Sequence, residues 1–146
     1  METLEIFKKA FGDKVEAAAF CLDIIYIAHF WDDLIDKDKT RTNEEINRAF
    51  EILLIGMPTN NFYQEYQKAI MPMLHTTITA WYESNKRQSG NEEDKFFAFF
   101  LRNILLNVVY FSYSVVGGNM QVLHDYFAKN MKQEYENFKV EDKQDA

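Results

Sequence analysis

Residues 29–41 read HFWDDLIDKDKTR and place four carboxylates and an arginine within ten residues. The apolar periodicity of residues 15–35 predicts a helix, so the acidic cluster falls on the last turn of that helix. Side chains four residues apart share one face of a helix. Asp32 and Asp36 are therefore expected to point the same way, with Asp33 beside them.

This acidic cluster is unfavourable where it stands, because the C-terminal end of a helix carries partial negative charge. Water, a basic partner or a divalent cation must compensate for it. Magnesium usually takes one or two carboxylates and leaves its other positions to water and phosphate oxygens. An Asp-Asp-x-x-Asp face matches this coordination preference. His29 lies one turn earlier on the same side. The alternative is a solvated helix end in an acidic chain.

The stretch 22–41 resembles the first aspartate-rich region of the trans-isoprenyl diphosphate synthases, in which an apolar helix leads into Asp-Asp-x-x-Asp and then an arginine. Three acids match: Asp32, Asp33 and Asp36. Arg41 matches the first arginine of the family pattern, whereas Thr42 and Asn43 replace the second arginine and the glycine. The resemblance implies that the three acids bind Mg²⁺ and that Arg41 contacts an allylic diphosphate.

A second stretch is similar to the other acidic region of that family, which pairs a glycine and a glutamine with a further Asp-Asp-x-x-Asp. Gly117, Gln121 and Asp125 keep the register of the pattern. His124 and Ala128 stand where two of its three acids would be. The resemblance implies that Gln121 binds the substrate and that Asp125 is a fourth metal ligand on the opposite wall of the site.

Two departures from the family reduce what the resemblance implies. The basic Gly-Lys-Arg segment that holds a second diphosphate has no counterpart near the N-terminus, and the interval between the motifs is short by one or two helices. Chain elongation is therefore disfavoured against ionisation, cyclisation or binding without turnover, and no catalytic residue is assigned. Six aromatic residues are candidates for the wall of a dry cavity: Phe30, Trp31, Phe97, Phe100, Tyr110 and Tyr113.

A different class of function stays open beside this one. A helical bundle can serve as a scaffold without catalysis, because a fold does not fix a function. The short chain, the degraded second motif and the acidic surface also suit a non-catalytic accessory protein, of viral or mobile-element type, that binds a protein partner.

The amino-acid composition limits the fold class, the kind of partner and the cellular compartment. The chain has 146 residues, of which 47% are hydrophobic and 16% aromatic, with few glycines and prolines. These values favour an all-α protein: a single helical bundle of five or six helices over residues 1–138, with a charged, frayed tail at 139–146. The resemblance implies that this bundle is a reduced form of the isoprenoid synthase fold. The net charge of −7 argues against a nucleic-acid partner. The lone Cys21 excludes an internal disulfide and fits the cytoplasm.

The helix boundaries follow from capping and breaking signals. Asp13 is the expected N-cap of the second helix, Thr42-x-x-Glu45 reads as a capping box, and Gly56-Met57-Pro58 as a stop. A kink or break is expected at Pro72. The expected helices cover about 3–11, 13–36, 42–55, 61–87, 91–116 and 120–138.

The apolar run 96–116 approaches the length needed to cross a bilayer. Arg102 would cost about 2.5–3.5 kcal/mol near the middle of a membrane helix, so the run is interpreted as the buried central helix of a bundle rather than a membrane span. Isoprenoid synthases are often dimers, and a bundle short of helices leaves apolar surface to cover. A homodimer is therefore expected.

Overall fold

The computed structural model describes residues 3–37 and 39–144, with side chains up to Lys139. Asp38, one of the four clustered carboxylates, lies outside the described residues. The described residues form eight consecutive α-helical segments: α1 Thr3–Phe11, α2 Val15–Asp36, α3 Asn43–Glu51, α4 Met57–Thr59, α5 Asn61–Arg87, α6 Glu92–Arg102, α7 Leu106–Val116 and α8 Met120–Gln144. A π-helical turn joins α3 to α4, and a 3₁₀ turn joins α6 to α7. The described residues contain no strand, which confirms an all-α bundle of six helices when each interrupted helix is counted once.

Helix α2 begins one residue later than its capping signal suggested. Lys14 occupies the N-cap position and makes no side-chain capping bond, so the N-cap prediction for Asp13 is wrong. The Glu16 carboxylate, expected at the same helix start, accepts hydrogen bonds from the Asn61 backbone N–H at 2.8 Å and side-chain amide at 3.1 Å. The unpaired N–H groups at the start of α5 have captured this acid, which ties two helix N-termini together.

The capping box before α3 is confirmed. The Thr42 hydroxyl accepts from the Glu45 N–H at 3.2 Å, and the Glu45 carboxylate accepts from the Thr42 N–H at 2.9 Å. The stop at residues 56–58 is wrong, because the chain stays helical through the π-helical turn Ile52–Gly56 and on to Thr59. A widened turn relieves the clash between a proline ring and the carbonyl four residues earlier, which accommodates Pro58.

Helix α5 runs without a break through Pro72 to Arg87, and its N-cap is Asn60, one residue before the expected position.

The core forms where α1, α2, α5, α7 and α8 meet. Its largest fully buried side chains are Phe7, Phe11, Phe20, Ile70, Val108, Val109 and Leu123. Helix α8 continues to Gln144, beyond the end expected at residue 138, and residues 145–146 lie outside the described part of the chain.

The most apolar run is not the buried central helix that its composition suggested. The segment Glu92–Val116 is long and apolar enough to cross a membrane by length and composition, yet little of it is buried. The 3₁₀ turn Asn103–Leu105 interrupts it. Helix α7 buries Val108 and Val109, whereas the described part of α6 buries only Ala98.

Two glycines end α7 and turn the chain into α8. Gly117 has φ +77° and Gly118 has φ +145°, conformations that L side chains rarely adopt. The Asn119 N–H donates to the Ala10 carbonyl at 2.8 Å, which brings the turn against α1. A Cβ on Gly118 would collide with that carbonyl oxygen, whereas a Cβ on Gly117 would meet no atom within 4 Å.

We expect Gly117→Ala to lower the free energy of unfolding by about 2 kcal/mol, through backbone strain alone. Gly118→Ala should lose at least about 1 kcal/mol more, because the collision with the Ala10 carbonyl adds overpacking to a similar strain. Urea denaturation of the two variants measures the difference. Equal losses would show that α1 does not approach this turn closely.

Candidate functional site

Two arginines divide the acidic cluster of α2. Arg102 lies against Asp36, with 3.4 Å between Nη2 and Oδ2, and against Asp32, with 3.8 Å between Nη1 and Oδ1. Arg41 forms an ion pair with Asp33 and a second one with Glu45 at 2.8 Å. The three acids of the first motif therefore serve two separate groups, and Arg41 does not join Asp32 and Asp36.

Arg102 is held from several sides. Its Nε donates to the buried Ser84 hydroxyl at 3.1 Å, and its Nη2 donates to the Gln88 side-chain oxygen at 2.6 Å. The guanidinium carbon lies 5.4 Å from the ring centre of Trp81 and 5.9 Å from that of Phe138. Contacts of this kind fix a planar guanidinium in position and exclude much of the water around it.

A cavity of about 330 Å³, here called the Arg102 cavity, lies between α2, α5, α6, α7 and α8. Its lining on α2 runs from Ile25 to Asp36, which is about 16 Å of helix. The charged and titratable lining residues are His29, Asp32, Asp36, Arg102 and Glu134. The main apolar ones are Trp81, Phe99, Leu105, Leu106, Phe127 and Phe138. A molecule with a charged head and an apolar body matches this lining.

The second motif does not reach the Arg102 cavity. The Gln121 amide donates to the Asp125 carboxylate at 2.7 Å on an exposed face of α8, and neither residue lines the cavity. His124, between them, shares a hydrogen bond of 3.1 Å with the Tyr110 hydroxyl. The acid that α8 contributes to the cavity is Glu134. Roles for Asp125 in metal binding and for Gln121 in substrate binding stay predictions that this cavity does not support.

None of the six expected aromatic wall residues lines the cavity. Phe30 stacks on Tyr26 at 6.5 Å, and Trp31 stacks on Trp81 at 4.7 Å, behind the wall. Phe97 and Phe100 are exposed. Tyr110 and Tyr113 hydrogen bond elsewhere, to His124 and to the Gly118 carbonyl.

Sequence reasoning did not identify Arg102 or Glu134 as site residues. Arg102 interrupts an otherwise apolar run, and a lone cation in such a run signals a buried counter-charge. Glu134 gave no signal, since it belongs to a polar segment of α8. Glu134 is exposed, so only partial desolvation raises its pKa, and the nearby charge of His29 offsets part of that effect.

The donor set of the cavity suits a partial magnesium shell. Asp32 and Asp36 supply two carboxylates one turn apart, the number that magnesium commonly takes from protein. In the described part of the chain no three His, Cys, Asp or Glu side chains are grouped to hold a metal by themselves. A cation here would need oxygens from a ligand, and it would compete with Arg102 for the two carboxylates.

Comparison with protein-family models, with curated proteins and with solved structures finds no match to this chain. The kinship with isoprenoid synthases therefore stays a prediction from the two sequence motifs. The lining of the Arg102 cavity is therefore the best indication of the chemistry of the site.

We expect Arg102→Met to lower the free energy of unfolding by about 2 kcal/mol, because it leaves two partly buried carboxylates facing each other. In an Asp36→Asn background the same change should cost about 1 kcal/mol less. A double-mutant cycle by urea denaturation measures this coupling. The matched control is Asp125→Asn, which should be additive with Arg102→Met. Coupling to Asp125 equal to that with Asp36 would contradict the pairing.

Glu134→Gln should stabilise the protein at neutral pH. The raised pKa of Glu134 means that the folded state favours the protonated acid, so the wild type loses stability as the pH rises through that pKa. Glutamine mimics the protonated form, and the two proteins should be closest in stability at acid pH. Thermal melts between pH 4 and pH 8 test this, with Glu65→Gln on the exposed face of α5 as the control. A gap that grows towards acid pH would contradict it.

Proposed function

We propose that the protein binds Mg²⁺ together with an apolar molecule that ends in a diphosphate, of the allylic diphosphate class, in the Arg102 cavity. One observation carries the proposal: Asp32 and Asp36 line the same cavity as a guanidinium and a row of aromatic and aliphatic side chains. The two acids would hold the cation, and Arg102 would hold phosphate oxygens. Bound magnesium would supply charge neutralisation between the carboxylates and the diphosphate.

The chain's own residues account for the selectivity of such a site. A guanidinium presents several N–H groups in one plane, which matches phosphate oxygens better than an ammonium does. Phe99, Leu105 and Leu106 would cover an apolar chain and keep water from it. The α8 wall offers Glu134 in place of the three acids of the family pattern, so binding without rapid turnover fits this donor set best.

The proposal is tested by thermal melts with MgCl₂ and pyrophosphate, alone and together. At ligand concentrations near 100 Kd the pair should raise the Tm by about 5–10 °C. Asp36→Asn should lose most of this shift. The matched control, Asp125→Asn, makes the same chemical change outside the cavity and should keep the shift. No shift in wild type, or equal loss in both variants, would refute the cavity as the binding site.

A second arm tests the apolar part of the ligand. A thio-analogue of an allylic diphosphate cannot ionise readily, so it reports binding without reaction. With Mg²⁺ it should raise the Tm further than pyrophosphate does, because its chain would bury apolar surface against Phe99 and Leu106. Leu106→Asn should reduce that extra shift and leave the pyrophosphate shift in place. An analogue that raises the Tm no more than pyrophosphate does would show that the ligand contacts only the charged part of the lining.

A second candidate is a non-catalytic helical protein that recognises a protein partner. The ion pairs favour it, because Arg102 and Arg41 already offset part of the negative charge of the α2 acids without a metal. Under this reading magnesium and pyrophosphate leave the Tm unchanged, and Asp36→Asn affects only stability.

A further inference from the structure

We infer that a second copy of this chain docks on an exposed aromatic surface of α6. Phe96, Phe97 and Phe100 form this surface, here called the α6 stripe. Their exposed fractions are 58%, 48% and 57%, although phenylalanine is among the residues most often buried. The inference does not rest on the Arg102 cavity or on its ligand.

The stripe is a continuous surface rather than three scattered side chains. Its members fall within about 100° of the helix circumference, and the rings of Phe97 and Phe100 lie 6.1 Å apart. On one side Phe96 meets the edge of Tyr135 from α8 at 6.3 Å. On the other side the Arg87 guanidinium from α5 lies 5.5 Å from the Phe97 ring. Neighbouring helices therefore hold the stripe in place and leave its outer face open.

The accessible surface of the chain exceeds that of a compact monomer of its mass, which leaves area for an interface of standard size. The accessible surface is 9480 Å², whereas a compact monomer of 17.3 kDa exposes about 7,800 Å². The excess is about 1,700 Å². A standard interface removes about 800 Å² from each partner, so one interface with a second copy accounts for about half of it.

The charges beside the stripe favour a second copy over an anionic lipid surface. A two-fold interface brings the same patch of two copies together. A patch with a net charge would therefore repel the identical patch of the second copy. The stripe is flanked by ion pairs instead: Glu83 with Arg87 at 3.0 Å, Arg87 with Asp94 at 3.2 Å, and Glu136 with Lys139 at 3.0 Å. Helices that lie on membranes carry an excess of lysine and arginine. Helix α6 opens instead with three acids, residues 92–94, two of which are paired: Glu92 with Lys95 and Asp94 with Arg87.

The experiment is sedimentation velocity on the full chain over a range of concentrations. We expect a dimer for the wild type, and at least a hundred-fold weaker self-association for Phe100→Glu. The matched control is Leu54→Glu, which replaces a side chain 71% exposed on the π-helical turn and should leave the dimer intact. A monomeric wild type, a dimeric Phe100→Glu, or dissociation by Leu54→Glu alone would each overturn the inference.

A second variant with a smaller change distinguishes loss of self-association from loss of folding. Phe97→Ser shortens the stripe without adding charge, and circular dichroism is used to check that the variant stays helical. It should weaken the dimer in the same direction as Phe100→Glu, and an unweakened dimer counts against the stripe. Co-sedimentation of the wild type with phosphatidylcholine vesicles, with and without phosphatidylserine, provides the last arm. A monomer that binds either vesicle would overturn the inference in favour of a lipid partner.

Discussion

The pairing of Arg102 with Asp32 and Asp36 is the constraint that joins the end of α2 to the C-terminal half of the bundle. Two unit charges about 4 Å apart attract by about 4 kcal/mol at the effective dielectric of a protein surface, before any desolvation is counted. Aromatic rings on two sides of the guanidinium limit the water that would weaken this attraction. The α2 helix can therefore end in acids, despite its dipole, because a cation from another helix lies beside them.

The same arginine explains why composition misjudged the apolar run 96–116. A helix that is apolar nearly all round is normally central, but this run must also deliver one cation to the acids of α2. The 3₁₀ turn that begins directly after Arg102 interrupts the helical repeat, so the apolar faces of α6 and α7 need not point in the same direction. Helix α7 then turns its apolar face to the core, whereas α6 leaves Phe96, Phe97 and Phe100 on the outside.

Local signals predicted most of the fold, because a capping box or a glycine pair acts within one turn of helix. The capping box at Thr42 and the break at Gly117 needed no knowledge of the tertiary structure. The N-cap predicted at Asp13 is wrong, and the nearby Glu16 is bonded to the start of α5 instead. The stop predicted at residues 56–58 is wrong because a π-helical turn accommodates Pro58. The site shows the same division: the shared face of Asp32 and Asp36 follows from their spacing, but their partner is 66 residues from Asp36.

Helical phase accounts for the failure of the second motif. Asp125 and Glu134 are nine residues apart, which is half a turn in phase, so they lie on opposite faces of α8. The spacing of residues within a motif does not predict which of these two faces of α8 points into the bundle.

Charge balance then decides what the cavity can accept. Arg102 against Asp32 and Asp36 leaves a formal charge of −1, and an ionised Glu134 makes the lining more negative still, so the lining repels a free diphosphate. Under the proposed function a divalent cation would offset this charge, so cation and diphosphate would bind together, each creating the field that the other requires.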